Sequence, residues 1–543
     1  MRWRIKCCVL IMAATVVAAA LRLPRLQQRP MHGDEAVHAD KFGTLLEEGR
    51  YEYDPREYHG PALNYLTLIP AWFGSAATLS QVTERTLRIV PAVFGLMLVL
   101  LLLFCLDGLG PRAAAYAAIL TAISPAMIFY SRYYIQEMLL VCFTFGAIAC
   151  GYRYVRSGKC AWAIVTGAFL GLMHATKETC VIVYASMLLA LGLVLLMERQ
   201  RNQSVWAHIR RINVWHVLAG LGVGVVVSGL FFSSFLANPR GIVDSILAYG
   251  PYLNRAHNNA LHNHPWHYYL SMLLYFRYGG GPIWTEGLIV ILALVGLAAA
   301  LTGKSVQDGH RGLLRFVAFY TVIMTVVYSV IPYKTPWCVL GFLHGMILLA
   351  GVGTVTLLRI VPNVLPRLII TLLVFEASVH LCWQGYLSSY RFYADSRNPY
   401  VYAHPTQEVL QVGKILDEYA RVHQAHRQMD IRVICPGADY WPLPWYLRSF
   451  GRVGYHSSIP PDVSSAEVIV ISPSLEGELA QKLLVETPEE KRQMYMCLFE
   501  DAPYYIWLRP NVKLTGFVRR DLWERRQHQQ EPAGQSQVQS KDG

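Results

Sequence analysis

"RIVPAVFGLMLVLLLLFCL", residues 88–106, decides the fold. Apart from Arg88 at its start it carries no charge, and it shows neither the alternation of a half-buried strand nor the polar stripe of a surface helix. About 20 such residues cross a hydrocarbon core roughly 30 Å thick, so the run reads as a membrane helix. Ten further runs qualify or come close, around 7–21, 113–130, 135–152, 161–176, 179–197, 215–236, 284–302, 316–333, 337–358 and 368–387. With 54% of 543 residues hydrophobic and 15% charged, lipid is the main solvent of this chain. The first run, "CCVLIMAATVVAAA" after "MRWRIK", reads as a retained anchor or as a signal peptide. The retained helix is preferred because "RLPRLQQRP" follows at once, and either reading leaves the next loop outside.

A net charge of +12 invites a nucleic-acid reading, but no Lys/Arg run in the hydrophobic body is interleaved with stacking aromatics, so no nucleic-acid partner is expected. The basic residues sit instead in short loops, where they orient membrane helices. Loops that are cytoplasmic with the N-terminus inside hold sixteen Lys and Arg; the opposite loops, leaving out the first, hold six. This predicts a multi-pass protein of the plasma (inner) membrane, N-terminus cytoplasmic and C-terminal part extracytoplasmic. The first outer loop is basic too, but it is longer than the charge rule covers. Most of the eleven cysteines lie in or beside apolar runs without CxxC spacing and read as small hydrophobes. Cys435 and Cys497 fall in the polar part, where an extracytoplasmic setting would let them pair.

The expected fold class is mainly α: a polytopic transmembrane bundle of about 11 helices with a C-terminal extracytoplasmic α/β domain. Residues 1–389 form the membrane domain, with long outer loops near 22–87 and 237–283. In the first of these, "GPALNYLTLIPAWFG" is too short to span and suits a helix lying in the interface. Residues 390–520 form the α/β domain, with "IRVIC", "RVGYH" and "EVIVIS" as strands and "PLPWYLRSF" and "SLEGELAQKLL" as helices. Residues 521–543, Gln-rich and nearly free of apolar side chains, are expected to be disordered.

Ionisable groups beside membrane segments are costly and therefore functional candidates. Here they gather on the outer side: Asp34, Glu35, His38 and Asp40 of "MHGDEAVHAD"; Arg56 and His59 of "PREYHGP"; Arg132 and Glu137 of "YSRYYIQE"; Lys177 and Glu178 of "ATKETC". His257, His262, His264 and His267 of "NRAHNNALHNHPWHYY" and Lys334 of "PYKTPW" complete the set. One such residue alone reads as a snorkelling or capping side chain. Repeated charges of both signs at one membrane level fit a cavity better. Lys and Arg suit a phosphate head group. Carboxylates beside them suit deprotonation of a nucleophile attacking a carbon that bears a phosphate leaving group.

The stretches "GDEAVHA", "YHGPALNY", "HNHPWHYY" and "PYKTPWCVL" resemble the GT-C membrane glycosyltransferases, in the branch with protein O-mannosyltransferases and lipid A aminoarabinose transferases. More narrowly, "HGDEAVHA", "HGP", "YSRYYIQE", "TKET" and "DYWPLPWYLR" resemble its flippase-activity-associated subgroup, over nearly the whole chain. The resemblance implies inverting transfer of a sugar from a polyprenyl-phosphate donor to an extracytoplasmic acceptor. It implies Asp34 as catalytic base or acceptor-orienting group with Glu35 as partner, and Arg132, Lys177, His264 and Lys334 as holders of the donor phosphate. His38, Glu137 and Glu178 join them as substrate-binding candidates. Where the aminoarabinose transferases have Lys before the corresponding Pro, this chain has "HGP", so His59, with Arg56, takes that place.

Rival readings use the same residues. Asp34 and His38, at i and i+4, share a helix face as in the HExxH pattern, but the first ligand position is Asp, against a zinc protease. No cofactor is firmly implied; a divalent cation assisting phosphate departure stays open. A transporter or flippase for lipid-linked sugars would show internal repeats and broken helices at mid-membrane, whereas these charges cluster at one face. A binding protein without turnover would use the same pocket.

Overall fold

In the computed structural model, residues 2–56, 59–199, 212–250, 262–303 and 308–530 are described. Each of the eleven apolar runs carries a helix. Eight are long enough to span: Trp3–Arg22, Glu84–Leu109, Glu137–Ser157, Cys180–Glu198, Val214–Phe232, Arg311–Val330, Pro336–Ile360 and Val364–Arg391. A ninth is broken into Pro111–Ile123 and Pro125–Ser131 with a 58° bend. Pro125 forces that break, because a helix-interior proline lacks the N–H and clashes with the preceding turn. Buried Glu286 then accepts from the Ala126 N–H and the Ser124 hydroxyl, at 2.9 and 2.6 Å, and so caps the second piece. Two helices are shorter, Cys160–His174 and Gly287–Thr302, at 15 and 16 residues.

The chain divides into two compact units: residues 1–28 with 41–402, and residues 29–40 with 403–543. Within the first unit, small residues set the helix packing. A Cβ on Gly167 would fall 1.8 Å from the Gly220 carbonyl oxygen, so Cys160–His174 and Val214–Phe232 meet backbone to backbone. The other side of Val214–Phe232 exposes Trp215, Leu218, Leu221, Val225 and Val226, as a lipid-facing helix does. The loop run expected at the interface forms Ala62–Phe73, burying Leu63, Thr67 and Ala71 and exposing Ile69, Trp72 and Phe73.

The second unit is a small sheet with helices. Strands β1 (Ile431–Ile434), β2 (Val453–His456), β3 (Val468–Ile471), β4 (Tyr495–Cys497), β5 (Ile506–Arg509) and β6 (Val512–Arg519) lie in the order β2-β1-β3-β6-β4, with β5 paired to β6. The first three are parallel, and β6 closes onto β3 antiparallel, Val470 opposite Gly516. All four residues of β3 are buried, as a central strand covered on both faces requires. Helix Val409–Val422 buries Val409, Val412, Leu416 and Tyr419, one helical stripe, against Ile431, Val433, Val468 and Val470.

One expectation changes, and one open question receives an answer. The stretch expected to be disordered from 521 begins as a helix, Arg520–Gln530, because Leu522 is buried and Arg526 pairs with Glu418 and Glu500 at 2.8 Å each. Residues 531–543 lie outside the described residues. Cys435 and Cys497 are both free thiols, the first buried beyond the end of β1 and the second exposed.

Candidate active site

In the first unit the "HGP" motif meets the "TKET" turn through backbone. Ala62 N–H donates to the Ala175 carbonyl at 2.9 Å, and a Cβ on Gly60 would stand 2.3 Å from that same oxygen. Only glycine permits the approach, and it sets His59 Nδ1 2.7 Å from Glu178 Oε2. Tyr53 donates its hydroxyl to the other oxygen, Glu178 Oε1, at 2.8 Å. Burial opposes the Glu178 charge, but His59 and Tyr53 outweigh it and hold the carboxyl below its usual value.

The neighbouring Lys177 forms a buried ion pair with Glu137 at the start of Glu137–Ser157. Burial works against the ammonium, yet Glu137 beside it raises its pKa above the usual lysine value. Lys334 is different. It is equally buried, and its ammonium donates to the carbonyls of His264, at 3.1 Å, and Ile331, with no carboxylate partner among the described residues. Burial therefore lowers its pKa. His264 stacks on Tyr268 with centroids 4.2 Å apart, and burial with the charges of His262 and Lys334 keeps its ring pKa low. His262 Nδ1 lies 2.7 Å from the Tyr402 hydroxyl.

Arg132, expected at a phosphate, spreads its guanidinium over the carbonyls of Arg22, Pro24 and Arg25 and the Tyr390 hydroxyl, and so ties down the chain after the first helix. Arg56 lines a cavity of about 610 Å³ with Lys41, Glu52, Arg240 and Asp244, and Tyr53 in its wall links it to Glu178. His257 lies outside the described residues.

The second unit holds the acidic pair. Helix Gly33–Glu48 starts just after His32, and its residues up to Asp40 count with this unit. Glu35 is fully buried: Oε1 accepts from Arg29 at 2.9 Å and Oε2 from the His32 N–H at 3.0 Å. This is the returning half of a capping box. His32 Nδ1 accepts from the Asp34 N–H at 3.0 Å, a side-chain cap one position earlier than the full box, which places the ring proton on Nε2. Glu35 thus builds the turn, while Asp34 leaves its carboxylate half in solvent, 51% exposed. His38 is buried on the same helix. Among the described residues no three His, Cys, Asp or Glu side chains come together as metal ligands would.

Sequence reasoning missed several partners. Tyr53 holds Glu178, Arg29 holds Glu35, and the Tyr446 hydroxyl accepts from the Met31 N–H at 2.8 Å. Arg29 was legible in principle, since a cation six residues before a capping glutamate can reach back over the first turn.

Comparison with known proteins follows the same lines. Residues 67–219 match the family model described as dolichyl-phosphate-mannose-protein mannosyltransferase. No curated protein matches the chain significantly. Among solved structures, ArnT from Cupriavidus metallidurans in the apo state is 15% identical, with a TM-score of 0.61 over 93% of this chain and 97% of that one. The same protein bound to undecaprenyl phosphate gives 0.59 over the same shares at 15% identity. The archaeal oligosaccharyltransferase AglB from Archaeoglobus fulgidus, in complex with an inhibitory peptide and a dolichol-phosphate, gives 0.52 at 12% identity over 88% of this chain and 71% of that one. At these identities the likeness is one of fold: the chain shares its overall fold with ArnT and with AglB.

Proposed function

We propose that the chain is an integral membrane glycosyltransferase, moving a sugar from a polyprenyl-phosphate carrier to an extracytoplasmic acceptor with inversion at the anomeric carbon. The observation that carries this reading is the end-to-end likeness to ArnT, which also binds undecaprenyl phosphate. Lys334 supplies matching chemistry, a buried ammonium with only carbonyl partners among the described residues, suited to a phosphate. Lys177, Glu137, Glu178, His59, Arg56 and His264 shape the donor side, with Arg132 holding the loops that frame it.

In this mechanism the Asp34 carboxylate accepts the proton of an acceptor hydroxyl or amine. The freed lone pair forms the new bond to the anomeric carbon, and the carbon–oxygen bond to phosphate breaks. The electron pair leaves on the polyprenyl phosphate, whose added charge Lys334 neutralises. Glu35 acts by holding the turn that presents Asp34. The membrane topology that accompanies this has the N-terminus cytoplasmic and the 403–543 unit extracytoplasmic.

Membranes carrying Asp34→Asn and supplied with labelled polyprenyl-phosphate sugar test the reading. Transfer should fall by about 10²–10⁴-fold, the usual worth of a general base, with donor binding retained. Undiminished transfer would remove Asp34 from the mechanism. Mass analysis of envelope glycans and glycoproteins from a deletion strain should show one missing sugar linkage; an unchanged profile argues for a binding or transport role.

A further inference from the structure

The sheet unit carries a surface that the transfer reaction leaves unexplained. Its parallel strands run in the order β2-β1-β3, so the chain leaves β1 toward one neighbour and later returns on the other side. In open α/β sheets that reversal opens a crevice beyond the carboxyl ends of the strands, where ligands bind. The loop leaving β1 there is unusual: Gly437 and Ala438 are both left-handed, with φ of 65° and 59°. For alanine this conformation costs energy and persists only where the surroundings impose it, often beside functional sites.

Immediately after this turn come Asp439, Tyr440 and Trp441. Tyr440 lies 6.1 Å from Trp441, ring centre to ring centre, and 5.0 Å from Tyr455 on β2, with planes tilted by 37° and 38°. All three rings are half-buried, and none is sealed into the core. This wall adjoins the start of helix Gly33–Glu48: a Cβ on Gly33 would be 3.9 Å from Trp441 Cβ, and the Tyr446 hydroxyl holds the Met31 N–H. Exposed Asp34 is the next residue along. Exposed carboxylates of Asp439 and Asp40 belong to the same two segments, and Asp40 acts on the Tyr455 hydroxyl.

From this juxtaposition we infer that Tyr440, Trp441 and Tyr455 form a saccharide-binding platform that seats the acceptor beside Asp34, making the acceptor a carbohydrate. A pyranose offers one face of C–H groups to an aromatic ring and a rim of hydroxyls to carboxylates, the two features paired here. A polypeptide acceptor would ask instead for an open strand edge or a backbone-binding groove. The inference rests on the proposed role of Asp34, but it concerns binding and is read separately from turnover.

The test is saturation-transfer difference NMR on the full-length protein in nanodiscs, with maltotriose and mannotriose as probes and a Gly-Ser-Thr hexapeptide as comparison. At least one trisaccharide should receive saturation at its ring C–H protons, Trp441→Ala should lower the signal at least fivefold, and Trp441→Phe should restore most of it. Should Trp441→Ala not fold, Tyr440→Leu carries the same expectation. Saturation of the hexapeptide alone, of no probe, or of a trisaccharide equally in wild type and variants overturns the platform. Saccharide binding without turnover of polyprenyl-phosphate sugar would overturn the transferase reading and leave the platform standing; turnover without saccharide binding would do the reverse.

Discussion

Lys177 and Lys334 are both buried lysines beside membrane helices, yet their surroundings give them opposite characters. Lys177 sits in a turn where polar groups are matched, with the Glu137 carboxylate on the lysine and the His59 ring on Glu178. Lys334 has carbonyl dipoles alone among the described residues. The first arrangement neutralises its lysine with a carboxylate; the second balances the charge with dipoles alone among the described residues. Residue type does not separate these two lysines, but the identity of the acceptor atoms does.

Breaking the matched pair should have the largest effect. Glu137→Gln leaves Lys177 uncompensated in a buried site, which costs about 3–5 kcal/mol and should appear as a marked drop in the unfolding midpoint of the purified protein. The double variant Lys177→Met, Glu137→Leu should recover much of that loss; no recovery would mean the pair is not acting through its charges. Next, Lys334→Gln should weaken binding of polyprenyl phosphate by about 10–100-fold, the worth of one hydrogen bond to a charged group, with little change in midpoint. Arg132→Lys should do the converse, lowering the midpoint and sparing affinity, since its fork serves three carbonyls. Gly60→Ala must displace the Ala175 carbonyl and should cost about 1–3 kcal/mol, with His59 shifted away from Glu178.

The smallest effects should come from pH, and their signs differ. Glu178 has a lowered pKa, so its contribution is present above the ordinary carboxylate value and is lost as pH falls through its folded value. Lys177 has a raised pKa; its contribution holds below the ordinary lysine value and is lost as pH rises through a still higher one. Lys334 has a lowered pKa, so burying its charge is a cost that is relieved as pH rises through its folded value. Unfolding midpoints measured across the alkaline range should therefore rise slightly before they fall in wild type, and only fall in Lys334→Gln.

Much of this architecture was legible because membrane spans announce themselves: the run 88–106 admits one reading, and each of the eleven runs is a helix. Strands β1 and β3 were legible for a similar reason, being short β-branched runs, and β2 as a short Val- and Tyr-bearing stretch after a turn. Strands β4, β5 and β6 were missed, although Pro510 and Asn511, with Asn511 at a φ of 67°, are a proline–asparagine turn pair joining β5 to β6. Among the site residues, Asp34 and Glu35 look equivalent in sequence. Only the position three residues after His32 turns Glu35 inward as a cap and leaves Asp34 facing out. The distinct fates of Lys177, Lys334 and Arg132 depend on partners 40 to 110 residues away in sequence, which local pattern does not encode.

The two short helices carry a consequence for the surrounding lipid. At 1.5 Å per residue, Cys160–His174 and Gly287–Thr302 measure about 22 and 24 Å, several ångströms less than a hydrocarbon core of roughly 30 Å. Such hydrophobic mismatch is met by thinning of the bilayer, by flanking side chains that snorkel or by association with other helices, at a fraction of a kcal/mol per ångström. Where thinning is the response, head groups are drawn inward toward the turn after His174, with Lys177 and Glu178. Thick membranes resist that dimple, so lengthening the acyl chains of a reconstituted bilayer should oppose it.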